Sequence, residues 1–326
     1  MRTTFLYIIL ALALLTGAVT AGCKKFTEGL NTSPNRPTSA PYPLVLNGAQ
    51  VSGILIYEGN LARVAGIFSR SFTGADRQYV DINRYNSSAA DYNDTWDNLY
   101  SIVIGQLKVV EAGSQAVNDK TTIGITQVML AQAFGLAADL WGDVPFSEAG
   151  DAVKYPTPKF DSQADVYKGV QALLDSAITN LQAHVGTGPA EKDIYFQGDR
   201  GKWIAVAYTL KARFYLHIKD YANAIASAQN GIDDATNNMM DPHGTSITAD
   251  LNIYYDFMVN QRGGYMNAQG AFAPSLLDPS SATYRGNAKT DETARFQYLY
   301  QEGLMTSDLD PNVLSNFDGW GNPQNQ

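Results

Sequence analysis

Apolar residues recur at helical spacing through the middle of the chain. Trp96, Leu99, Tyr100, Val103, Ile104, Leu107 and Val110 follow the i, i+3, i+4, i+7 rule and predict a helix near 91–117. A second helix is predicted near 122–141, where Ala131, Ala133, Ala137 and Ala138 are small enough for close helix packing. The third stripe is unbroken: Val166, Tyr167, Val170, Leu173, Leu174, Ala177, Ile178 and Leu181, with Ser162 and Asp165 at the spacing of a capping pair ahead of it. A fourth is lined by Trp203, Val206, Ala207, Leu210, Phe214 and Tyr215, and a fifth by Tyr221, Ala224, Ile225, Ala228 and Ile232. Only Lys219 and Asp220 separate those two patterns. Beyond about residue 236, Gly, Asn, Asp, Pro and Ser become frequent and periodicity returns only near Thr293 to Gln301.

The run from Lys202 to Ala235 has the length of one tetratricopeptide repeat, about 34 residues. A helix pair of this kind cannot bury its apolar face alone, so neighbouring pairs should stack on it. The fold expected is mainly α, an all-α scaffold of tetratricopeptide-like helix pairs over about 91–141 and 162–236. The irregular region 237–326 would supply long ligand-facing loops, since long irregular segments in compact proteins commonly carry function.

The N-terminus reads differently. Arg2 is followed by a continuous apolar run from Phe5 to Leu15, too short to span a bilayer, which takes roughly 20 residues. A basic start, a short apolar core and small residues predict a signal peptide over 1–22. Thr20-Ala21-Gly22 leads into Cys23, the only cysteine. A thiol at that cut site is a candidate for lipidation, and the two or three acyl chains (palmitate among them) of a mature lipoprotein bury enough CH₂ groups for firm attachment. Thr20 stands where such motifs usually carry Leu, and Lys24 replaces the Asp that retains lipoproteins in the inner membrane. The other reading of Cys23 is an incidental thiol in a secreted protein. Residues 23–43, rich in Pro, Thr, Asn and Ser, then read as a tether to a body spanning 44–326.

With Arg2 removed, 22 Lys and Arg face 32 Asp and Glu. That acidic balance argues against nucleic acid and anionic lipid as partners. The 19 tyrosines suit a surface for uncharged polar ligands, each ring offering an apolar face and a hydroxyl. His184, His217 and His243 lie in unrelated contexts, and there is no His-Glu-x-x-His, no phosphate loop and no Gly-x-Ser-x-Gly. No metal site, cofactor or catalytic group is therefore expected, and the chain reads as a binding protein and not an enzyme. A glycosidase needs a facing pair of carboxylates, and no pair among the many acids is singled out.

Three stretches carry a resemblance. They are Leu30-Asn31-Thr32-Ser33-Pro34-Asn35-Arg36-Pro37, then Ala138-Asp139-Leu140-Trp141-Gly142-Asp143-Val144-Pro145-Phe146-Ser147-Glu148-Ala149, with its core from Gly142, then Asp193-Ile194-Tyr195-Phe196-Gln197-Gly198-Asp199 running to Lys202-Trp203 and Leu210-Lys211-Ala212-Arg213. In order and spacing they resemble the SusD/RagB family of nutrient-binding outer-membrane lipoproteins, in its SusD-like branch, over residues 23 to about 240. The resemblance implies a lipid-anchored protein facing the cell exterior, which captures oligosaccharide or peptide and delivers it to a TonB-dependent, SusC-like β-barrel transporter. Family members usually continue past residue 326, so the chain is expected to be C-terminally truncated. The signature itself reads as fold chemistry: Gly142 as a left-handed helix end, Trp203 and Arg213 as locks between helices.

Sugar sites combine aromatic faces with Asn, Asp or Arg. The segment from Arg77 to Trp96 offers that mixture, making Arg77, Tyr79, Arg84, Tyr85 and Trp96 candidate ligand residues, with Tyr79 and Tyr85 as exposed rings. Trp320, in a loop-like context, is a further candidate. The competing reading of Trp96 is a core anchor of the first helix. For the whole protein, the alternative is a helical-repeat scaffold lipoprotein of the envelope that binds no nutrient.

Overall fold

The computed structural model describes residues 40–300, apart from 245 and 247–249. The expected signal peptide, Cys23, most of the tether and Trp320 lie outside the described residues.

The fold is mainly α, and its centre is a row of stacked helices. These are α1 (Tyr42–Tyr57), α2 (Asn60–Phe68), the short α3 (Gln78–Asn83), α4 (Gly105–Ala116), α5 (Lys120–Trp141), α6 (Gln163–Gln182), α7 (Arg200–His217) and α8 (Tyr221–Ala228). The first sequence stripe is helical throughout 93–116 but unwinds to a π-helical stretch over Asn98–Ile104 before α4. α1 packs on α4, α4 on α5, α5 on α6, α6 on α7, and α7 on α8. Neighbours from α5 to α7 run in opposite directions. Thr121 at the start of α5 donates its N–H to Val185 beyond α6, and Arg200 at the start of α7 donates to Thr121 Oγ1 (2.8 Å). At the other end Tyr167, Arg213 and His217 all converge on Asp139.

α5 is long and apolar enough to cross a membrane, yet most of it is buried within the protein as the core helix. Its small residues explain how. Gly135 faces the ring of Phe214 so closely that an added Cβ would lie 2.0 Å from it. Gly142 closes α5 at φ +75°, a positive φ that favours glycine but, with ψ at −109°, not the left-handed helical turn expected, and its N–H goes to Ala138 O. Ser162 caps α6 as the sequence indicates, accepting from Asp165 N–H.

The Gly142 to Ala149 motif is a clasp. Val144 and Asp161 exchange backbone hydrogen bonds of 3.1 and 2.9 Å, Glu148 accepts from Lys159 N–H, and the Asp161 carboxylate accepts from Phe146 and Ser147 N–H. Phe146 then packs edge-on against Phe134, 4.9 Å between centroids. The third motif closes around Asp193, fully buried. Its carboxylate accepts from Trp203 Nε1 (2.7 Å), Gln50 Nε2 (2.7 Å), Gly198 N–H (2.8 Å) and Tyr195 N–H (3.2 Å). Trp203 locks helices as expected, through this acid.

Two expected boundaries are corrected. The tether was expected to run to Pro43, but α1 begins at Tyr42, and Pro43 sits in its first turn, where a missing N–H costs nothing. α1 escapes a periodicity search because it is apolar all round: Leu46, Ala49 and Ile56 are buried while Leu44, Val51 and Leu55 are exposed. The fifth helix ends at Ala228 rather than running to Ile232, whose N–H goes to Thr209 Oγ1. Tyr221 and Ile225 are more than half exposed, because among the described residues no further helix covers the outer face of α8.

Removing the Asp193 acceptor strands four donors, two of them buried and two part-buried. Asp193→Ala is expected to lower unfolding free energy by about 3 kcal/mol or more, and Trp203→Phe, which deletes only the N–H, by about 1–3 kcal/mol. Urea unfolding checks both, and a double mutant short of additivity would confirm that the two share one interaction.

Candidate functional site

A second, smaller core stands apart from the helical one. Val64, Ile67, Tyr79, Ile82, Met258 and Met266 are its buried members, with Phe72, Tyr254, Phe257 and Tyr265 packed around them. It joins segments almost 200 residues apart in sequence. Strand β1 (Thr73–Gly74) pairs antiparallel with β2 (Met266–Asn267), and Thr73 Oγ1 donates to Gln269 O (2.7 Å). Ala273 N–H, in α9 (Phe272–Leu277), bonds to Arg70 O (3.0 Å).

At this seam lies an open cleft of about 240 Å³, lined by residues that include Arg70, Phe72, Thr73, Asn83, Tyr85 and Gln269. Tyr85 lies flat on Phe68, with 5.5 Å between centroids and 13° between planes, and is 64% exposed. One ring face is thus held and the other is offered to solvent. The Arg70 guanidinium stands 5.7 Å over the partly exposed ring of Phe272. Asn83 accepts Gly74 N–H through Oδ1 at 3.3 Å, which orients its amide at the rim. Arg70 and Tyr85 both have φ of +58°, a conformation that side chains adopt at a cost of order 1 kcal/mol and that tends to gather at functional sites. An aromatic face flanked by planar polar side chains can stack on the apolar side of a neutral ring while hydrogen-bonding its hydroxyls.

The structure sorts the sequence candidates. Tyr85 lines the cleft. Tyr79 does not offer an exposed ring: it is 1% exposed, its hydroxyl accepts from Arg63 Nε (2.7 Å) and donates to Asn60 Oδ1 (3.3 Å), and its edge meets Phe257. Burial raises its pKa above the ordinary tyrosine value, with Arg63 opposing. Tyr79 therefore anchors the small core beneath the cleft. Arg77 and Arg84 are exposed but are not among the cleft-lining residues; Arg77 is 3.6 Å from Asp76. Trp96 belongs to the helical scaffold, half-buried between Tyr100 (4.6 Å) and Phe160 (6.2 Å) and nearly perpendicular to Trp141 at 5.0 Å. That is the anchoring role the competing reading gave it. Arg70, Phe68, Asn83 and Gln269 were missed. Arg70 and Gln269 are 199 positions apart, and no local pattern joins them.

The family model described as "starch-binding associating with outer membrane", SusD-like, matches residues 34–268. The chain belongs to this SusD-like family. Its members are carbohydrate-binding proteins associated with the outer membrane. A SusD/RagB family protein from Bacteroides thetaiotaomicron shares 26% identity at a TM-score of 0.65, over 73% of this chain and 51% of its own. A chitin-binding protein (23% identity, TM-score 0.56, 70% of this chain and 50% of its own) has the same fold. So does a SusD homologue from Bacteroides uniformis (19%, 0.55, 72% and 51%). This SusD-like chain spans about half the length of those structures. No curated protein matches it.

The two tyrosines should separate in experiment. Tyr79→Phe is expected to cost about 0.5–1.5 kcal/mol of unfolding free energy through its lost hydrogen bonds. Tyr85→Ala, at an exposed position, is expected to shift it by less than about 1 kcal/mol. Denaturant midpoints of the two variants provide the check.

Proposed function

We propose that this SusD-like chain captures a neutral oligosaccharide in the cleft at Tyr85 and passes it to a TonB-dependent, SusC-like β-barrel transporter. It would do so from the outer membrane, anchored through lipid on Cys23 and facing the cell exterior. The observation that carries the reading is the cleft itself: a tyrosine face stacked from behind by Phe68 and ringed by Arg70, Asn83 and Gln269. Family membership supplies the ligand class, since the family is described as starch-binding. The chain binds and does not turn its ligand over, in keeping with the family's binding role.

Affinity electrophoresis through gels holding starch, other neutral glucans or soluble chitin tests the capture step. Retardation by at least one glycan is expected, with Tyr85→Ala weakening it at least tenfold while Arg77→Ala leaves it near wild type. If no glycan retards the folded chain, capture by this cleft is wrong. Delivery is tested separately by mild-detergent purification of the lipidated protein from its native membrane. A co-purifying plug-and-barrel transporter is expected, and its absence would remove the delivery half of the proposal.

A further inference from the structure

Away from the cleft, three side chains with metal-ligating atoms meet where the helical scaffold passes into the segment that carries the cleft. Glu58 lies in the two-residue link between α1 and α2. Asp241 and His243 come from the irregular run after α8, more than 180 positions later. One ligand atom from each falls within 4.8 Å of the other two. His243 Nε2 is 2.8 Å from Glu58 Oε1, and the His243 and Glu58 side chains are 22% and 20% exposed.

The charge balance of this cluster is unusual. Two carboxylates face one imidazole in a half-buried site, and like charges at such range need a compensating proton or cation. The surroundings already orient the ligands. Tyr195 donates its hydroxyl to Asp241 Oδ1 (2.7 Å), and Asn252 Nδ2 reaches Glu58 Oε2 (3.4 Å). Such outer contacts are what fix ligand direction in metal sites. A tetrahedral ion with bonds of about 2.0–2.1 Å holds its ligands about 3.3 Å apart, so small side-chain shifts suffice.

We propose that Glu58, Asp241 and His243 form a site for a divalent transition cation of the zinc class, which staples Asp241 and His243 to the end of α1. One imidazole nitrogen with two carboxylate oxygens suits zinc, cobalt or manganese better than calcium or magnesium, which prefer all-oxygen shells. Three protein ligands leave a fourth position for water. The site does not depend on whether the cleft takes sugar.

The test uses the purified, untagged chain, stripped with chelator and titrated with Zn²⁺ by calorimetry near pH 7. One saturable equivalent is expected, with a melting temperature that climbs with Zn²⁺ concentration because metal binds only the folded state. Titration with Co²⁺ should give visible absorption bands of nitrogen–oxygen coordination. His243→Ala and Asp241→Asn should each weaken Zn²⁺ binding at least tenfold, with His243→Gln as the milder substitute if the alanine variant loses its circular dichroism. His217→Ala, at a histidine paired with Asp139 elsewhere, should bind as wild type. Absence of saturable Zn²⁺ binding, or unchanged affinity in the folded His243 variant, would overturn the proposal. Asp241→Asn stabilising the chain with no metal response in wild type would also overturn it, assigning the cluster to a shared proton.

Discussion

A buried carboxylate with four donors holds the scaffold in register. Asp193 is fully enclosed, and a charge in that position survives only if its lone pairs are filled. The donors come from three places in the chain: Gln50 on α1, the turn at Tyr195 and Gly198, and Trp203 on α7. Gln50 completes the circle by accepting Ile194 N–H through its other amide atom at 3.0 Å. α1 is thereby tied to α7 across 150 positions, and the helices between them have a fixed space to fill. Trp203, whose ring also meets Phe196 edge-on at 5.5 Å, brings apolar bulk to the same point. Here a polar interaction specifies the arrangement, and burial of α4 to α7 supplies the driving force.

The division of labour follows from the two cores. The larger one is made mostly by α4 to α7, which follow one another in the chain and whose stripes match, with α1 brought in against α4. The smaller one is made by rings and methionines from 64–82 and 254–268, which have no partner until the chain has gone round the scaffold. The cleft sits on the smaller core, at the seam between its two segments. Its lining residues come from loop ends and left-handed turns, which a rigid body can hold in place and which can vary with little damage to the fold. Tyr79 and Tyr85, six positions apart, show the split. One is sealed under the seam and the other stands on top of it.

The signature motifs belong to the scaffold. Gly142 to Ala149 clasps the approach to α6, and Asp193 to Trp203 closes α1 against α7. Neither reaches the cleft. The most recognisable residues thus identify the fold and the family, while the cleft is lined by plain ones such as Asn83 and Gln269.

Periodicity determined four of the scaffold helices and the mainly α class, and local pattern the Ser162 cap of α6, because a helix buried on one face writes its contacts at short, regular intervals. The same rule hid α1, which is apolar on both faces, and overextended α8 toward Ile232. The sequence also marked the stretch that gives Asn83 and Tyr85 to the cleft but could not separate Tyr79 from Tyr85, since burial depends on what arrives from elsewhere. The tertiary structure decided that when it laid Met266, Phe257 and Tyr265 over one ring and left the other on Phe68 in solvent. It likewise joined Arg70 to Gln269, and Glu58 to His243. Those contacts depend on pairing across roughly 200 residues, and local sequence carries no record of a partner so distant.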